Sequence, residues 1–487
     1  MSGLHDGVPG GCPLARVSGE ESGSIGMGRS STPLSAVVIV IVASLIGSMA
    51  AGRGVREANA MPATGRHIVV ARASSGVPDD LARRVAAVGG SVESAHPSIG
   101  IAVVAGMNEA GAASLATTPD VGAVLEDIEI DAATPAGLDE PVAGSDVSAH
   151  SPTNPGAAAF FPRQWNLRAI GAERAWAAGR LGSAGVTVAI VDGGIDYTHA
   201  DLAGRVDLTR SKSFVPSDDA LVAAQFPGRD PVTDLRYHGT HVAAIASSNA
   251  IAAAGVTSKV TLMGVKVLNR NGTGPLSGIL AGLLHAVDNG ADVVNLSLGT
   301  TFQKGKNGQV VALLNRAVTY AHRQGATVVV SAGNDAADLD HDGNAFKIFC
   351  SSPTVICVAA TGPTGSASVN GPFVGVDTPA PYTNFGRSAI SVAAPGGSQR
   401  PVWAACSRTS LVQPICRTGT FVIGVTGTSQ AAAHTTGLAA LLVEQVGRDP
   451  NRVRNVLQQS AEDLGQQGTD PYYGKGRISV ARALGLR

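Results

Sequence analysis

Val186-Thr187-Val188-Ala189-Ile190-Val191 runs without a break into Asp192-Gly193-Gly194. Such a near-continuous apolar run leaves no face for water, the mark of a strand covered on both sides in a parallel sheet. It stops at a carboxylate followed by two glycines, where a second backbone can approach closely. Further strands are expected at 261–267, 292–297, 326–331 and 355–361. Helical stretches alternate with them at 238–248, 277–289, 309–324, 429–446 and 450–460. This alternation predicts an α/β fold over residues 164–487, a doubly wound and mainly parallel sheet flanked by helices. Functional residues of such sheets lie beyond the carboxyl ends of the strands.

The chain upstream has a different pattern. Arg16 and Arg29 precede an apolar run from Ala36 to Ala43, and small-residue cleavage sites follow at Ser48-Met49-Ala50 and Ala58-Asn59-Ala60. Residues 1–60 are therefore read as a signal-peptide region, with Met27 as an alternative start and an uncleaved membrane anchor as the alternative fate. Within residues 61–131, strands at 67–71, 91–96, 99–105 and 121–130 enclose helices at 79–88 and 109–116. The order βαββαβ predicts a small α+β module of ferredoxin-like type. Residues 132–163 are rich in Pro, Gly, Ser and Ala without periodicity and read as a linker.

The 487 residues carry 36 basic and 37 acidic side chains, a formal net charge of -1. This balance gives no electrostatic reason to expect nucleic acid or an anionic membrane as partner. Of the five cysteines, Cys12 lies in the leader, and the rest form two close pairs, Cys350 with Cys357 and Cys406 with Cys416. An even count fits two disulfides in an oxidising compartment. Three connectivities are open, the local ones are favoured, and buried free thiols are the alternative.

Four strand-end or helix-start residues carry chemistry. Asp192 is either a turn-forming aspartate or a carboxylate aimed into a cleft. His238-Gly239-Thr240-His241 opens a helix, and it lacks the glutamate of a His-Glu-x-x-His zinc site. His238 is the one placed to face a cleft, and His241 is expected to pack beneath it. Asn334 follows Ala332-Gly333 and is a loop-starting residue or an oxyanion donor. Ser429, in Gly427-Thr428-Ser429-Gln430, precedes the apolar run 438–443 at a helix N-terminus. There it is either an N-cap or a nucleophile whose developing charge the free N–H groups favour.

Asp192, His238 and Ser429 follow one of the chain orders known for triad hydrolases. The blocks Val-Asp-Gly-Gly-Ile-Asp, His-Gly-Thr-His-Val-Ala, Ser-Ala-Gly-Asn and Gly-Thr-Ser-Gln-Ala-Ala-Ala-His resemble the signature blocks of the subtilisin-like serine proteases. The resemblance extends from Gln164-Trp165 to Tyr473-Gly474-Lys475-Gly476-Arg477. It implies a secreted endopeptidase acting through an acyl-enzyme. Asp192 would orient His238, His238 would serve as base and then acid, Ser429 would attack, and Asn334 would line the oxyanion hole. Ser297-Leu298-Gly299 and Gly272-Thr273-Gly274 look like the two edges that pair with an extended protein or peptide substrate. Residues 61–131 look like the family's propeptide, an intramolecular inhibitor and chaperone, and the maturation site would fall in the linker. A monomer is expected.

Three departures from the family pattern lie near the reacting groups: Gly193 in place of Thr or Ser, Gln430 in place of Met, and Ala433 in place of Pro. None removes a reacting group. The implied chemistry needs no cofactor. Asp201 matches a calcium position of many relatives, but 247–255 is short for their calcium loop. Asp338, Asp340 and Asp342 resemble the start of another calcium loop, yet Phe349 stands where its bidentate Glu belongs; a solvated acidic turn is the alternative. A peptide-binding pseudoenzyme is the rival of another class, opposed by the intact set Asp192, His238, Asn334 and Ser429. A lipase triad expects Gly-x-Ser-x-Gly and the order Ser, Asp, His, which the chain lacks. Residues 206–237, with Arg210, Lys212, Arg229 and Arg236, are read as a solvated loop, with a rim of the substrate cleft as the alternative.

Overall fold

The computed structural model describes residues 63–132, 135–143, 152–341 and 344–486. The expected leader and Asp342 lie outside the described residues. A seven-stranded sheet organises the larger part. Its order is Val392–Pro395, Ile356–Thr361, Thr327–Ser331, Val293–Leu296, Thr187–Asp192, Thr261–Lys266 and Lys212–Ser213. Every neighbouring pair is parallel. All six residues of Thr187–Asp192 are buried, as a strand with helices on both faces requires.

One face is covered by the helices Leu276–Asp288 and Gly308–Arg323, through Leu280, Leu284, Leu313 and Val318. The other is covered by His238–Ala246, Thr428–Val446 and Pro450–Gln459. The helix Thr428–Val446 is buried from Thr428 through Val443, because Ala and Gly leave little side chain between it and its neighbours. A Cβ on Gly437 would meet Val256 Cβ at 2.6 Å and Ala246 O at 2.9 Å, so a larger residue there would displace the loop at Val256 and the end of the helix His238–Ala246.

The amino-terminal module is an antiparallel sheet in the order Val121–Asp131, Ala63–Ala71, Ile101–Ala105, Ser91–His96. Leu81–Ala87 and Glu109–Ala116 are its helices. Ile68, Ile99, Ile101, Ile128 and Ile130 join the same apolar cluster as Leu280 and Leu314 of the larger part. Two polar contacts fix the docking. Asp127 receives Ser277 N at 2.8 Å and Ser277 Oγ at 2.6 Å, capping a helix start that Pro275 leaves without a side-chain cap. Arg316 donates to the carbonyls of Ala71, Ala73 and Ile99.

Residues 206–237 are not a solvated loop. They contain the edge strand Lys212–Ser213 and the helix Pro216–Gln225, which opens with Pro at N1 and Asp218 and Asp219 in its first turn. Buried Asp218 pairs with buried Lys266 at 3.2 Å, which ties this excursion to the sheet. Part of the expected linker is also ordered, with Gly137–Leu138 and Val142–Ala143 pairing with the strand Phe421–Thr426. Both disulfides are local, Cys350–Cys357 and Cys406–Cys416.

Candidate active site

Asp192 ends its strand, His238 opens the helix His238–Ala246, and Ser429 is the second residue of Thr428–Val446. The two helices pack together. His238 Nδ1 lies 3.0 and 2.9 Å from the two carboxylate oxygens of Asp192, and Gly193 N donates to Oδ1 at 2.7 Å. A ring nitrogen facing a carboxylate carries the proton, so Nε2 keeps the lone pair. Nε2 is buried and has no hydrogen-bond partner. The close approach expected at the two glycines is present. A Cβ on Gly239 would meet Gly194 O at 2.1 Å, and Gly194 has φ of 101° with Val232 O beneath it.

Two further contacts hold His238 in place. Buried Asp234 accepts Thr240 N at 3.0 Å, Thr240 Oγ1 at 2.7 Å and Arg236 N at 2.8 Å, pinning the first turn of the helix. Burial, with the Asp192 charge a smaller contribution, pushes the Asp234 carboxyl up to about 6. The loop closed by Cys406–Cys416 sends Ser407 and Thr409 hydroxyls to the Asp234 carbonyl, both at 2.7 Å. Sequence reasoning missed Asp234; an aspartate four residues before the histidine was its only signal.

Ser429 is not the cap of its helix. Gly427 holds that position, and Ser429 Oγ donates to the Ser297 carbonyl at 3.3 Å. Ser297 Oγ returns a bond to Ser429 O at 3.0 Å. The Asn334 amide oxygen accepts Thr428 N and Thr428 Oγ1, both at 2.9 Å, which fixes the amide plane beside Ser429. Histidine 241 packs underneath, with Nε2 facing the Val402 and Ile423 carbonyls at 3.2 and 3.1 Å.

Both substrate-like edges hold the chain's own backbone. Thr273, Gly274 and Pro275 pair with Asp131, Ile130 and Glu129. Ala132 N donates to Gly272 O at 2.6 Å, and Gly299 N donates to Asp131 O at 3.2 Å. Ser297 and Leu298 are buried behind this segment. Beyond it, Ala136 N donates to Thr426 O at 2.8 Å, two residues before Thr428. Residues 129–132 thus contact the Gly272–Pro275 and Gly299 edges, and residues 136–138 contact the strand that leads into Thr428.

The expected calcium ligands do not fit a cation. Asp201 Oδ1 accepts Ile251 N and Ala252 N, both at 2.8 Å, and Oδ2 accepts Ala253 N at 3.0 Å. Three N–H groups stand where a cation would sit. Asp340 spends both oxygens on Arg387 N, Ser388 N and Ser388 Oγ. Asp338 accepts Asp340 N and His341 N and faces His341 Nδ1 at 2.8 Å. Among the described residues no group of three or more His, Cys, Asp or Glu is arranged to hold a metal ion.

Residues 183–476 match the Subtilase family. A thermophilic serine proteinase of Bacillus sp. strain AK1 is 34% identical over 306 residues, 62% of this chain and 62% of that protein. The chain thus spans about three-fifths of that relative's length. Thermitase of Thermoactinomyces vulgaris is 30% identical over 67% of this chain and 97% of its own. Among solved structures, fervidolysin of Fervidobacterium pennivorans has a TM-score of 0.65 at 22% identity, covering 88% of this chain and 61% of that one. The epidermin leader peptide processing serine protease of Staphylococcus aureus has 0.64 at 20%, covering 86% and 98%. At these identities the structural likeness speaks for the fold alone.

Proposed function

The chain belongs to the subtilase family, and from that membership we propose that it is a secreted serine endopeptidase, made as a self-inhibited precursor. Peptide bonds are hydrolysed through Asp192, His238 and Ser429. The observation that carries this reading is the Asp192 carboxylate held by both oxygens against His238 Nδ1. Ser429 Oγ bonds to the scissile carbonyl carbon while its proton passes to His238 Nε2. The carbonyl oxygen takes up the negative charge, met by Ser429 N–H at the helix start and by the Asn334 side-chain amide. Collapse of this intermediate breaks the C–N bond, and the departing amine takes the proton from His238. Water then cleaves the acyl-enzyme by the same two transfers. Before any of this, the Ser429 hydroxyl leaves the Ser297 carbonyl for His238 Nε2, which has no hydrogen-bond partner here; catalytic hydrogen bonds that tighten only with substrate bound are common in resting enzymes.

The module at 63–131 is the inhibitor. Support comes from its last strand, which pairs with Thr273–Pro275 and whose Asp131 carbonyl accepts Gly299 N, and from its sheet, which shares an apolar cluster with the peptidase. A maturation cut between Ala132 and Pro135 is supported by Ala132 N, which donates to Gly272 O, and by Ala136 N, which donates to Thr426 O. Export is supported by the apolar run at 36–43 and by two disulfides, which form and persist in oxidising compartments. Among the described residues no helix is long and apolar enough to cross a membrane.

Purified precursor is expected to cut itself and to react with a fluorophosphonate, and the secreted product should begin at Ala133, Thr134 or Pro135. The Ser429→Ala protein should stay full-length and unlabelled. Unchanged processing and peptide hydrolysis by that variant would sink the proposal.

A further inference from the structure

Lys347 ends the strand Ala345–Lys347, which pairs with Thr301–Gln303. Its side chain turns inward and is only 1% exposed. The ammonium Nζ donates to the Gly299 carbonyl, on one side of the slot between Ser297–Gly299 and Ala332–Asn334. It also reaches the other side, where a Cβ on Gly333 would meet Asn384 Nδ2 at 2.4 Å, Lys347 Cε at 3.0 Å and Lys347 Nζ at 3.1 Å, so the ammonium bridges the two strand ends. Both strand ends carry glycines at positive φ, 119° at Gly299 and 102° at Gly333, and the space a Cβ would take is occupied by Ile348 at the first and by Asn384 and Lys347 at the second. An ammonium has three donors, and only one is used here. Asp335 is the carboxylate whose charge acts on it, yet among the described residues it forms no ion pair within 4.0 Å, and Asp335 is turned to Asn384 and Thr301. Burial holds the Lys347 pKa down to about 8.

The slot has a definite place in the reaction. Gly299 N already holds a backbone carbonyl of the segment in the cleft, and Ser297 O lies against the Ser429 hydroxyl. A substrate whose scissile carbonyl meets Ser429 and Asn334 must direct the side chain of that same residue between the two strand ends. A buried cation without a counter-ion is costly, and a carboxylate arriving in the slot removes that cost. We propose that Lys347 is the specificity-determining residue, and that its ammonium selects substrates with Glu or Asp on the acyl side of the scissile bond. This rests on Ser429 being the nucleophile. The chain's own span Ala132-Ala133-Thr134 offers no carboxylate. Covalent attachment supplies its occupancy of the cleft instead, and cutting ends that advantage.

The test uses mature wild-type enzyme and quenched peptides identical except for Glu, Asp, Gln, Ala or Phe before the scissile bond. Glu should exceed its isostere Gln in kcat/KM by about tenfold or more at neutral pH. Lys347→Met should remove that ratio while cleavage of the Ala peptide stays within about threefold, and Lys347→Arg should retain it. Lys347→Glu should turn the preference toward Lys and Arg peptides. Equal rates on Glu and Gln, a preference for Phe, or a ratio that survives Lys347→Met overturns the assignment while leaving the peptidase reading intact. Failure to cleave any of the peptides, with no fluorophosphonate labelling, overturns both.

Discussion

Gln430 donates its side-chain amide to His241 Nδ1 at 3.3 Å, so the departure beside the nucleophile serves the histidine buried below it. Burial first, and the neighbouring His238 second, hold the His241 pKa down to about 3. His241 therefore stays neutral, and neither of its ring nitrogens is available as a base toward Ser429. The Asn334 amide is fixed by Thr428 on one side, which leaves its plane little freedom to follow a charge that develops elsewhere. Asn334→Ala is expected to lower kcat by about 10²–10³ with KM little changed, measured on one peptide substrate; a loss confined to KM would contradict an oxyanion role. Asp192, His238, Asn334 and Ser429 were legible because each stands where a strand or turn ends in a recognisable block. Lys347 was not. Nothing in Phe346-Lys347-Ile348 marks it, and only the crossing of its side chain over Gly299 and Gly333 gives it a role. The same limit applied to Ser429, whose helix start was legible while its bond to the Ser297 carbonyl was not.

Elements were read best where both faces are buried. The strands Thr187–Asp192 and Thr327–Ser331 carry apolar runs that fit no other structure, and the structure moves their bounds by a residue. The helix Pro216–Gln225 was missed because only Asp218 and Val222 of it are buried, too few to impose a period, although its Pro-Ser-Asp-Asp opening is a helix start. The loop 250–253 shows what a shortened element does to a site. Its N–H groups close directly on Asp201, a carboxylate clamp at the position where the short 247–255 stretch makes a calcium site doubtful. Asp201→Ala leaves the N–H groups of buried Ala252 and Ala253 and of half-buried Ile251 without that acceptor and should destabilise the fold by about 3 kcal/mol. Thermal unfolding in a Ser429→Ala background would show this as a lower Tm, and an unchanged Tm would mean the loop finds other partners.

Over the whole molecule, buried titratable groups set an acid limit. Burial holds His241 down to about 3 and His434 down to about 4, below the ordinary 6.5. Below pH 6.5 the unfolded chain therefore takes up protons at both histidines that the folded chain refuses. Asp234, raised to about 6 from 3.8, works the other way, since there the folded chain binds the proton first. Between about pH 6 and 4 two groups favour unfolding and one opposes it, so stability falls as pH falls. The Tm of the Ser429→Ala protein should drop steadily from pH 6.5 to 4; a flat or rising profile would show that Asp234 outweighs the pair. The docking of the module has a different kind of consequence. On the function proposed above, a foreign chain would need the backbone groups of Gly272, Gly274 and Gly299 that residues 130–132 hold here. An amino-acid change that spoils those groups for other proteins spoils the molecule's first cut as well. Defective clefts would then stay locked in their precursors, so the population of free enzyme is screened for competence at birth.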